Sequence, residues 1–584
     1  MTDTGERVLH FTLGPVQGFV AQARRTRDLW AGSFLLSWLA GQAMHALVSG
    51  GHGTIAFPIV DDDPLFQAIK GQKAGNPVIG SLPNRFKARI IDPSCSPGDV
   101  CATAIREAWR RVANAVWTEF VGKAAVDSGN ETRAIWNRQI DNFWEMAWVI
   151  GGDGDAGGDA AWLTRRKNWR TELPPCEPGD HCMLMSDRQE LSGWVRTCGA
   201  SHRTRQDAFW AAIRNTVVAY VYKGRNDQAK TLELGASKRL CAIALVKRLF
   251  PLLPETTLKS VIGWVPDKDE QIKPDLTDRP GTLRLWPSTA YMAAVPWIEL
   301  AVTTDRQACD AYAKQVGRRE TSSGILIHAE RDTRVKHLIQ FGRFARIDGG
   351  LFFADAIEGE DFLANTQKKQ QTEDLKRLQD RVAKTLEHEG GGRRRHKARE
   401  ASPFYAVLQM DGDSVGKLLQ TIGEANVSQA LSMFTASVQY LVDRHKGVVI
   451  YAGGDDVVAL LPLPTALPCA AALADAYRNA FVEIRGQRQT ISAAVVFAHY
   501  KVPFSAVIRD SHTFLDEVAK DRNGRDSLAV KVWKSSGPAI EWVSGWSGSD
   551  MLATAGAVKA MMDLAVVYAK DDEQSTSFLY NITA

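Results

Sequence analysis

Long apolar runs are missing from this chain of 584 residues, and no segment approaches the roughly 20 residues that span a bilayer. No membrane partner is expected. Cysteine is also sparse. Its eight copies are scattered, which makes no disulfide framework and points to a reducing cytoplasm. Net charge is only +4, so the molecule as a whole is not a polycation. Contact with nucleic acid must come from local basic stretches such as Arg393-Arg394-Arg395-His396-Lys397. There is no P-loop, no serine–histidine–aspartate pattern, and no His-Asp pairing of a metal phosphohydrolase. Met1 to Arg7 is polar and acidic rather than a secretory leader. The rest is ordinary for a soluble globular protein, at 45% hydrophobic and 24% charged, and long enough for three or four domains. Tryptophan is plentiful at 17 copies, and Trp109, Trp117, Trp136, Trp144 and Trp148 fall in helix-like patterns that suggest core packing.

The most informative stretch is Tyr451-Ala452-Gly453-Gly454-Asp455-Asp456-Val457-Val458. Two apolar runs flank a tight Gly-Gly turn with adjacent carboxylates at its tip. Two unit charges about 4 Å apart repel by about 4 kcal/mol at an effective dielectric near 20. A divalent cation would turn that repulsion into binding. Upstream, the apolar run from Phe404 to Leu408 leads into Met410-Asp411-Gly412-Asp413-Ser414. A strand ending in Asp-Gly-Asp, helices, and then a strand–Gly-Gly-Asp-Asp–strand hairpin is the layout of a nucleotidyl-transferring palm. Such transfer uses two divalent ions, Mg²⁺ or Mn²⁺, held by carboxylates on adjacent strands. Asp411, Asp455 and Asp456 are the candidates. Asp413, Ser414 and Gly416 open the next helix, whose free N–H groups suit a triphosphate, and Gly412 and Gly416 permit close approach. Lys520, in Ala519-Lys520-Asp521-Arg522, is a candidate phosphate cation. The opposing reading of these residues is a surface hairpin, an Asp-Gly turn and a solvated lysine.

The N-terminal part shows the same order of elements. A strand at residues 8–13 ends at Gly14-Pro15, helical segments run from Val16 to Arg27 and from Leu29 to Val48, and a Gly-rich break precedes Thr54 to Pro58. This reads as a degenerate internal duplication. The first copy has Gly14-Pro15-Val16-Gln17 where the second has Asp411-Gly412-Asp413-Ser414, and no aspartate pair in its turn, so it should hold no metal there. The expected class is therefore α+β and multidomain, with two ferredoxin-like palms. The first, degenerate palm spans 1–165 and is completed by a strand-like region within 282–355. A helical insertion spans 166–281, a charged linker or exposed arm 356–399 with helical charge spacing from Gln367 to Glu387, the second palm 400–535, and a short helical segment 536–584. Within the insertion, Cys176, His181, Cys182, Cys198 and His202 offer tetrahedral zinc ligands, but without clean Cys-x-x-Cys knuckles. Ordinary loop cysteines are the alternative.

Several phrases together resemble the large, polymerase/cyclase-like subunit of type III-B (Cmr) CRISPR RNA-guided effector complexes. They are Gly14-Pro15-Val16-Gln17, Thr26-Arg27-Asp28-Leu29-Trp30-Ala31-Gly32-Ser33, Ser81-Leu82-Pro83-Asn84-Arg85-Phe86, Pro287-Ser288-Thr289-Ala290, Met410-Asp411-Gly412-Asp413, the Gly-Gly-Asp-Asp hairpin, and Ala498-His499-Tyr500-Lys501-Val502-Pro503. The resemblance implies palms packed face to face, Cmr partner subunits, guide and target RNA, and RNA-triggered synthesis of cyclic oligoadenylate from ATP in antiviral defence. A catalytically silent scaffold, or a different adenylated product, are the alternatives. Three departures matter. The family often carries an N-terminal HD nuclease domain, whereas this sequence starts at the first palm, so HD-type DNA cleavage is not expected. The zinc motif lacks its second Cys-x-x-Cys cysteine. The C-terminal helical domain is short.

Overall fold

The computed structural model describes residues 7–72, 75–92, 94–152, 163, 177–221, 234–235, 237–266, 286–317, 335–359, 365–388, 400–486, 489–534 and 536–546. Two sheets organise them. The first comprises β1 (Arg7–Gly14), β2 (Gly53–Phe57), β3 (Arg85–Ile90) and β4 (Glu145–Gly152), in the order β2-β3-β1-β4. The second comprises β5 (Phe404–Gly412), β6 (Val448–Gly453), β7 (Asp456–Pro462), β8 (Ile491–His499), β9 (Ser527–Lys534) and β10 (Gly537–Gly545), in the order β10-β9-β8-β5-β7-β6. The four strands β8-β5-β7-β6 repeat the order of the first sheet, strand for strand. Both are ferredoxin-like arrangements, and the duplication read from the sequence is present in the topology.

Packing explains why the segments adopt these forms. On the first sheet, Phe11 on β1 lies opposite Phe86 on β3 and Trp148 on β4, with ring centroids 5.2 and 6.1 Å apart. Trp148 thus belongs to a strand, and Trp144 to the residue just before that strand, and neither to a helix. The helix Thr26–Ser49 is apolar around most of its circumference because it is enclosed on nearly all sides. Its Asp28 makes a buried ion pair with Arg248 of the helix Ala242–Leu249, at 2.6 Å. In the second sheet Tyr405 to Leu408 are fully buried, as a central strand covered on both faces requires.

Three sequence expectations differ from the structure. The stretch expected to be strand-like within 282–355 is helical where described, with helices Thr289–Thr304 and Arg306–Gly317 followed by short 3-10 turns. Tyr291, Val295, Ile298 and Val302 recur at helical spacing and are buried, and Ser288 caps the first helix by accepting the Tyr291 N–H at 3.1 Å. The first sheet closes without this region. The charged stretch within 356–399 is not an exposed arm where described. It forms the helix Asn365–His388, with Leu375, Leu378, Val382 and Leu386 buried along one side. Its charges mask an i, i+3, i+4 apolar stripe. Residues 537–545, expected to be helical, form β10 against β9, and residues 547–584 lie outside the described part. The helices His202–Val221 and Ala242–Leu249 lie in the insertion. Among the described residues, no helix is long and apolar enough to cross a membrane.

Candidate active site

Strand register sets the acidic residues level at one end of the sheet. β5 runs antiparallel to β7 with Met410 opposite Val457, and β6 pairs with β7 as Gly453 opposite Asp456. One more residue along β5 brings Asp411 level with Asp456. The turn sits one residue later than the Gly-Gly reading. Gly453 is the last residue of β6, and Gly454 and Asp455 form the two-residue loop. Gly454 has φ +64 and Asp455 is not left-handed, the glycine-first arrangement of a II′ hairpin. The tip is pressed onto the end of β5. A Cβ on Gly412 would lie 2.7 Å from Asp455 Cβ and would collide with the Tyr477 hydroxyl. Gly412 therefore serves close packing of the two acidic segments, while an added Cβ on Gly416 would meet only open space.

Electrostatics at this point are unbalanced. Burial, then the Asp456 charge, pushes the Asp455 carboxyl up to about 7. Lys520 stands with its ammonium on the Asp411 carboxylate, and its side chain is only 14% exposed. Burial, aided by Arg525, lowers that ammonium to about 8. Lys520 lies on the turn of helix Leu515–Arg522, which continues the helix Phe504–Phe514. The lysine singled out in the sequence is thus at the site, but its partner here is a carboxylate.

Asp413 behaves differently from its expected role at a triphosphate. It is 2% exposed. Its carboxylate accepts the Thr490 and Ser492 hydroxyls, each at 2.8 Å, and the Asp526 N–H at 3.0 Å. Its own N–H donates to the Thr490 carbonyl at 3.0 Å, and its carbonyl accepts from the Gln489 amide. Asp413 therefore pins the end of β5 to β8 and to the loop that follows Lys520. Ser414, left-handed at φ 56, precedes the helix Val415–Ile422, which starts where the sequence placed it.

Sequence reasoning missed three nearby groups. Tyr477 is fully buried, and its hydroxyl makes no hydrogen bond. Burial, and then the Asp455 and Asp413 charges, push the phenol well above its usual range. His512 pairs with Asp516 at 3.1 Å, and that hydrogen bond raises it, with Asp456 adding a smaller contribution. The third is Tyr451, on the hairpin itself. The i, i+4 spacing of Tyr477 and Phe481 reads only as core, and nothing local marks Tyr477 or His512 as near the carboxylates.

The loop that precedes β3 reaches this hairpin directly. Gly80 forms a parallel bridge with Tyr451, and the Ala452 N–H donates to the Gly80 carbonyl at 3.2 Å. A Cβ on Gly453 would come within 2.5 Å of the Ser81 carbonyl oxygen. The loop carrying Gly80 is held in turn by the helix Thr26–Ser49. Trp30 Nε1 donates to the Val78 carbonyl at 2.6 Å, and Ser37 Oγ accepts the Leu82 N–H at 2.7 Å. Elsewhere the second sheet is tied to the helical region by Tyr500 and Lys501, both bonded to Asp355 at 2.6 Å.

Among the described residues, the expected zinc ligands are not gathered into a group of three. Cys182 Sγ accepts the Leu184 and Met185 N–H groups at 3.4 Å. The Asn130 amide contacts Cys198 Sγ at 3.8 Å. His202 Nδ1 bonds the Gly199 carbonyl, His181 lies on a short bridge to Gln189, and Cys176 lies outside the described residues. Among the described residues, the one set of three ligand atoms within 4.8 Å of one another is His52, Asp92 and Cys95.

The residues present fit divalent cations at Asp411, Asp455 and Asp456. All three offer hard oxygen donors at one end of the sheet, where burial and then the Asp456 charge hold Asp455 raised. Their carboxylates are not closed into a single shell.

Comparison with known proteins places these features. Residues 404–529 match the family described as Cas10/Cmr2, second palm domain, and residues 8–114 match CRISPR-associated protein Cmr2, N-terminal. The CRISPR system Cmr subunit Cmr2 of Pyrococcus furiosus is 21% identical over 619 aligned positions, which take in 92% of this chain and 63% of that protein. The chain thus spans less than two thirds of that relative's length. The CMR subunit Cmr2 of Saccharolobus solfataricus is 32% identical over 126 residues, covering 18% of this chain and 12% of that one. Among solved structures, a type III-B Cmr-beta complex bound to cognate target RNA contains a chain with TM-score 0.63 and 14% identity, covering 99% of this chain and 76% of that one. The apo state of Cmr-beta gives TM-score 0.61 at 15% identity, covering 100% and 75%. At these identities the structural likeness speaks for the fold.

Proposed function

We propose, from the premise that this chain belongs to the Cas10/Cmr2 family, that it is an ATP-dependent nucleotidyltransferase. The product is cyclic oligoadenylate, made in antiviral defence when a Cmr complex carrying guide RNA binds its target RNA. The observation that carries this reading is the placement of Asp411 level with Asp456, beside the Asp455 turn, at one end of a ferredoxin-like sheet. Asp411, Asp455 and Asp456 would hold two Mg²⁺ or Mn²⁺ ions. When bound there, such ions would supply activation of a 3′-hydroxyl and stabilisation of the departing pyrophosphate. In the transfer, the 3′-oxygen of one adenosine forms a bond to the α-phosphorus of a second ATP, the bond to pyrophosphate breaks, and the hydroxyl proton is lost to water.

The chain's own groups set the geometry. Gly412 lets Asp455 pack onto β5, and Asp413 fixes the β5 end relative to the Lys520 loop. Lys520, released from Asp411, meets the triphosphate. The helix starting at Val415 directs free N–H groups towards phosphate on the open side of Gly416. The loop at Gly80 and Ser81 places the first palm against the hairpin, so the acceptor nucleotide binds between the palms.

The test uses the assembled complex with labelled ATP and target RNA, comparing wild type with Asp455→Ala/Asp456→Ala. Equal product from the two sinks the assignment. Mass spectrometry of the product distinguishes cyclic oligoadenylate from another adenylated product. A second reading, a silent scaffold for guide and target RNA, draws support from Lys520, which already neutralises Asp411. Calorimetry separates the two, because a scaffold has no Mn²⁺-dependent ATP affinity.

A further inference from the structure

A cluster far from the acidic hairpin in sequence carries a different chemistry. His52 immediately precedes β2, and Asp92 and Cys95 follow β3, whose end pairs with the start of β2 as Gly53 opposite Ile90. The two segments are tied by backbone. The His52 carbonyl accepts the Ile91 N–H at 2.9 Å and the Asp92 N–H at 3.4 Å. Their donor atoms, His52 Nδ1, an Asp92 carboxylate oxygen and Cys95 Sγ, lie within 4.8 Å of one another.

Three details distinguish this from a casual surface contact. First, Asp92 is oriented. Its Oδ1 accepts the Ser94 N–H at 2.9 Å and the Ser94 hydroxyl at 2.6 Å, which leaves Oδ2 directed at His52. Second, His52 Nδ1 is buried and makes no hydrogen bond. Third, the Nδ1–Oδ2 separation is 3.5 Å, beyond the about 2.7–3.2 Å of a good N–H···O bond. It matches the edge of a zinc tetrahedron instead. With zinc–nitrogen and zinc–oxygen distances near 2.0–2.2 Å and zinc–sulfur near 2.3 Å, ligand atoms sit about 3.3–3.7 Å apart. A nitrogen, a thiolate and one carboxylate oxygen suit zinc and not magnesium, which requires hard oxygen donors throughout.

We infer that His52, Asp92 and Cys95 form a zinc site, with water as fourth ligand, that staples together the two turns at one end of the first palm. The site is separate in chemistry and place from the carboxylates of the second palm. It joins the end of the helix Thr26–Ser49 to the start of the helix Pro97–Val116 across β2 and β3.

The experiment is cobalt substitution of the full chain, reduced and metal-stripped, in excess Mg²⁺ to fill oxygen-only sites. Wild type should show the visible bands of tetrahedral cobalt and a sulfur-to-cobalt charge-transfer band at stoichiometric metal. The charge-transfer band should vanish in Cys95→Ser, the visible bands should weaken in His52→Asn, and both should persist in Cys198→Ser. Absence of bands in wild type, or their full retention in Cys95→Ser, overturns the site. An independent measurement keeps the test sound if a variant misfolds. Zinc added to wild type should protect Cys95 from alkylation, read by peptide mass spectrometry, and unchanged labelling of Cys95 also overturns it.

Discussion

Replacing Asp455 with asparagine should make the metal-free protein more stable, although it destroys the metal site. The carboxyl moves from an ordinary 3.8 to about 7 on folding, through burial and the Asp456 charge. The native state therefore holds a proton between those values that the unfolded chain has lost. Its favourable contribution is complete below 3.8 and disappears as pH rises through 7. At pH 8 wild type carries the full penalty. At about 1.4 kcal/mol per pKa unit this would be on the order of 4 kcal/mol for a sealed group, and partial exposure of Asp455 reduces it to on the order of 1–2 kcal/mol. Asp455→Asn should recover that amount at pH 8 and almost none near pH 4. The midpoint of thermal unfolding is the proper readout, because a chain with two sheets need not unfold in one step. Addition of Mn²⁺ reverses the order. At 100-fold over its dissociation constant an ion stabilises wild type by about 2.7 kcal/mol, and it should do almost nothing for the variant. Because binding displaces the proton, wild-type Mn²⁺ affinity should fall by up to about tenfold per pH unit below 7. A variant that melts earlier than wild type at pH 8 without metal, or that gains equally from Mn²⁺, refutes this account of the hairpin.

Other consequences are open to measurement. Lys520→Ala should free Asp411 and reduce product formation from ATP by about 10²-fold in kcat/KM, and unaltered kinetics would remove Lys520 from the site. Asp413→Asn keeps the shape but turns an amide donor towards the Thr490 and Ser492 hydroxyls and the Asp526 N–H, so denaturant titration should show a loss of about 3 kcal/mol. Gly412→Ala forces the hairpin tip away from β5, and metal-dependent ATP binding measured by calorimetry should fall by at least about tenfold, while far-ultraviolet circular dichroism stays native.

Much of the second palm was legible because its elements are short-range. The buried run Tyr405–Leu408, the glycine of the turn and the acidic pair each declare a strand, a hairpin or a ligand from neighbouring residues. The helices after Ser288 and the buried face of the helix Asn365–His388 were harder. Ala-rich and charge-rich sequences hide which face is buried until the packing partners are known. Asp413 shows the same limit inside the site. Asp-Gly-Asp offers two equivalent carboxylates on paper, and only the hydroxyls of Thr490 and Ser492, brought alongside by β8, assign one of them to structure. Tyr477 and His512 approach the carboxylates purely through tertiary folding. Conversely, the Trp30 and Ser81–Leu82 phrases carried a recognisable signature without a visible reason. The structure supplies it, since both build the contact that grips the hairpin.

That grip has a further meaning for the second sheet taken alone. β6 is its outer strand, and the bridge from Gly80 to Tyr451 supplies backbone partners to an edge that would otherwise be bare. Bare, regular edges recruit other strands, so the first palm acts as a built-in guard against sheet-to-sheet aggregation. The acidic turn is then anchored on one side by its own sheet and on the other by a neighbour distant in sequence. A fragment beginning near residue 400 would keep every carboxylate yet lose the chaperoning edge.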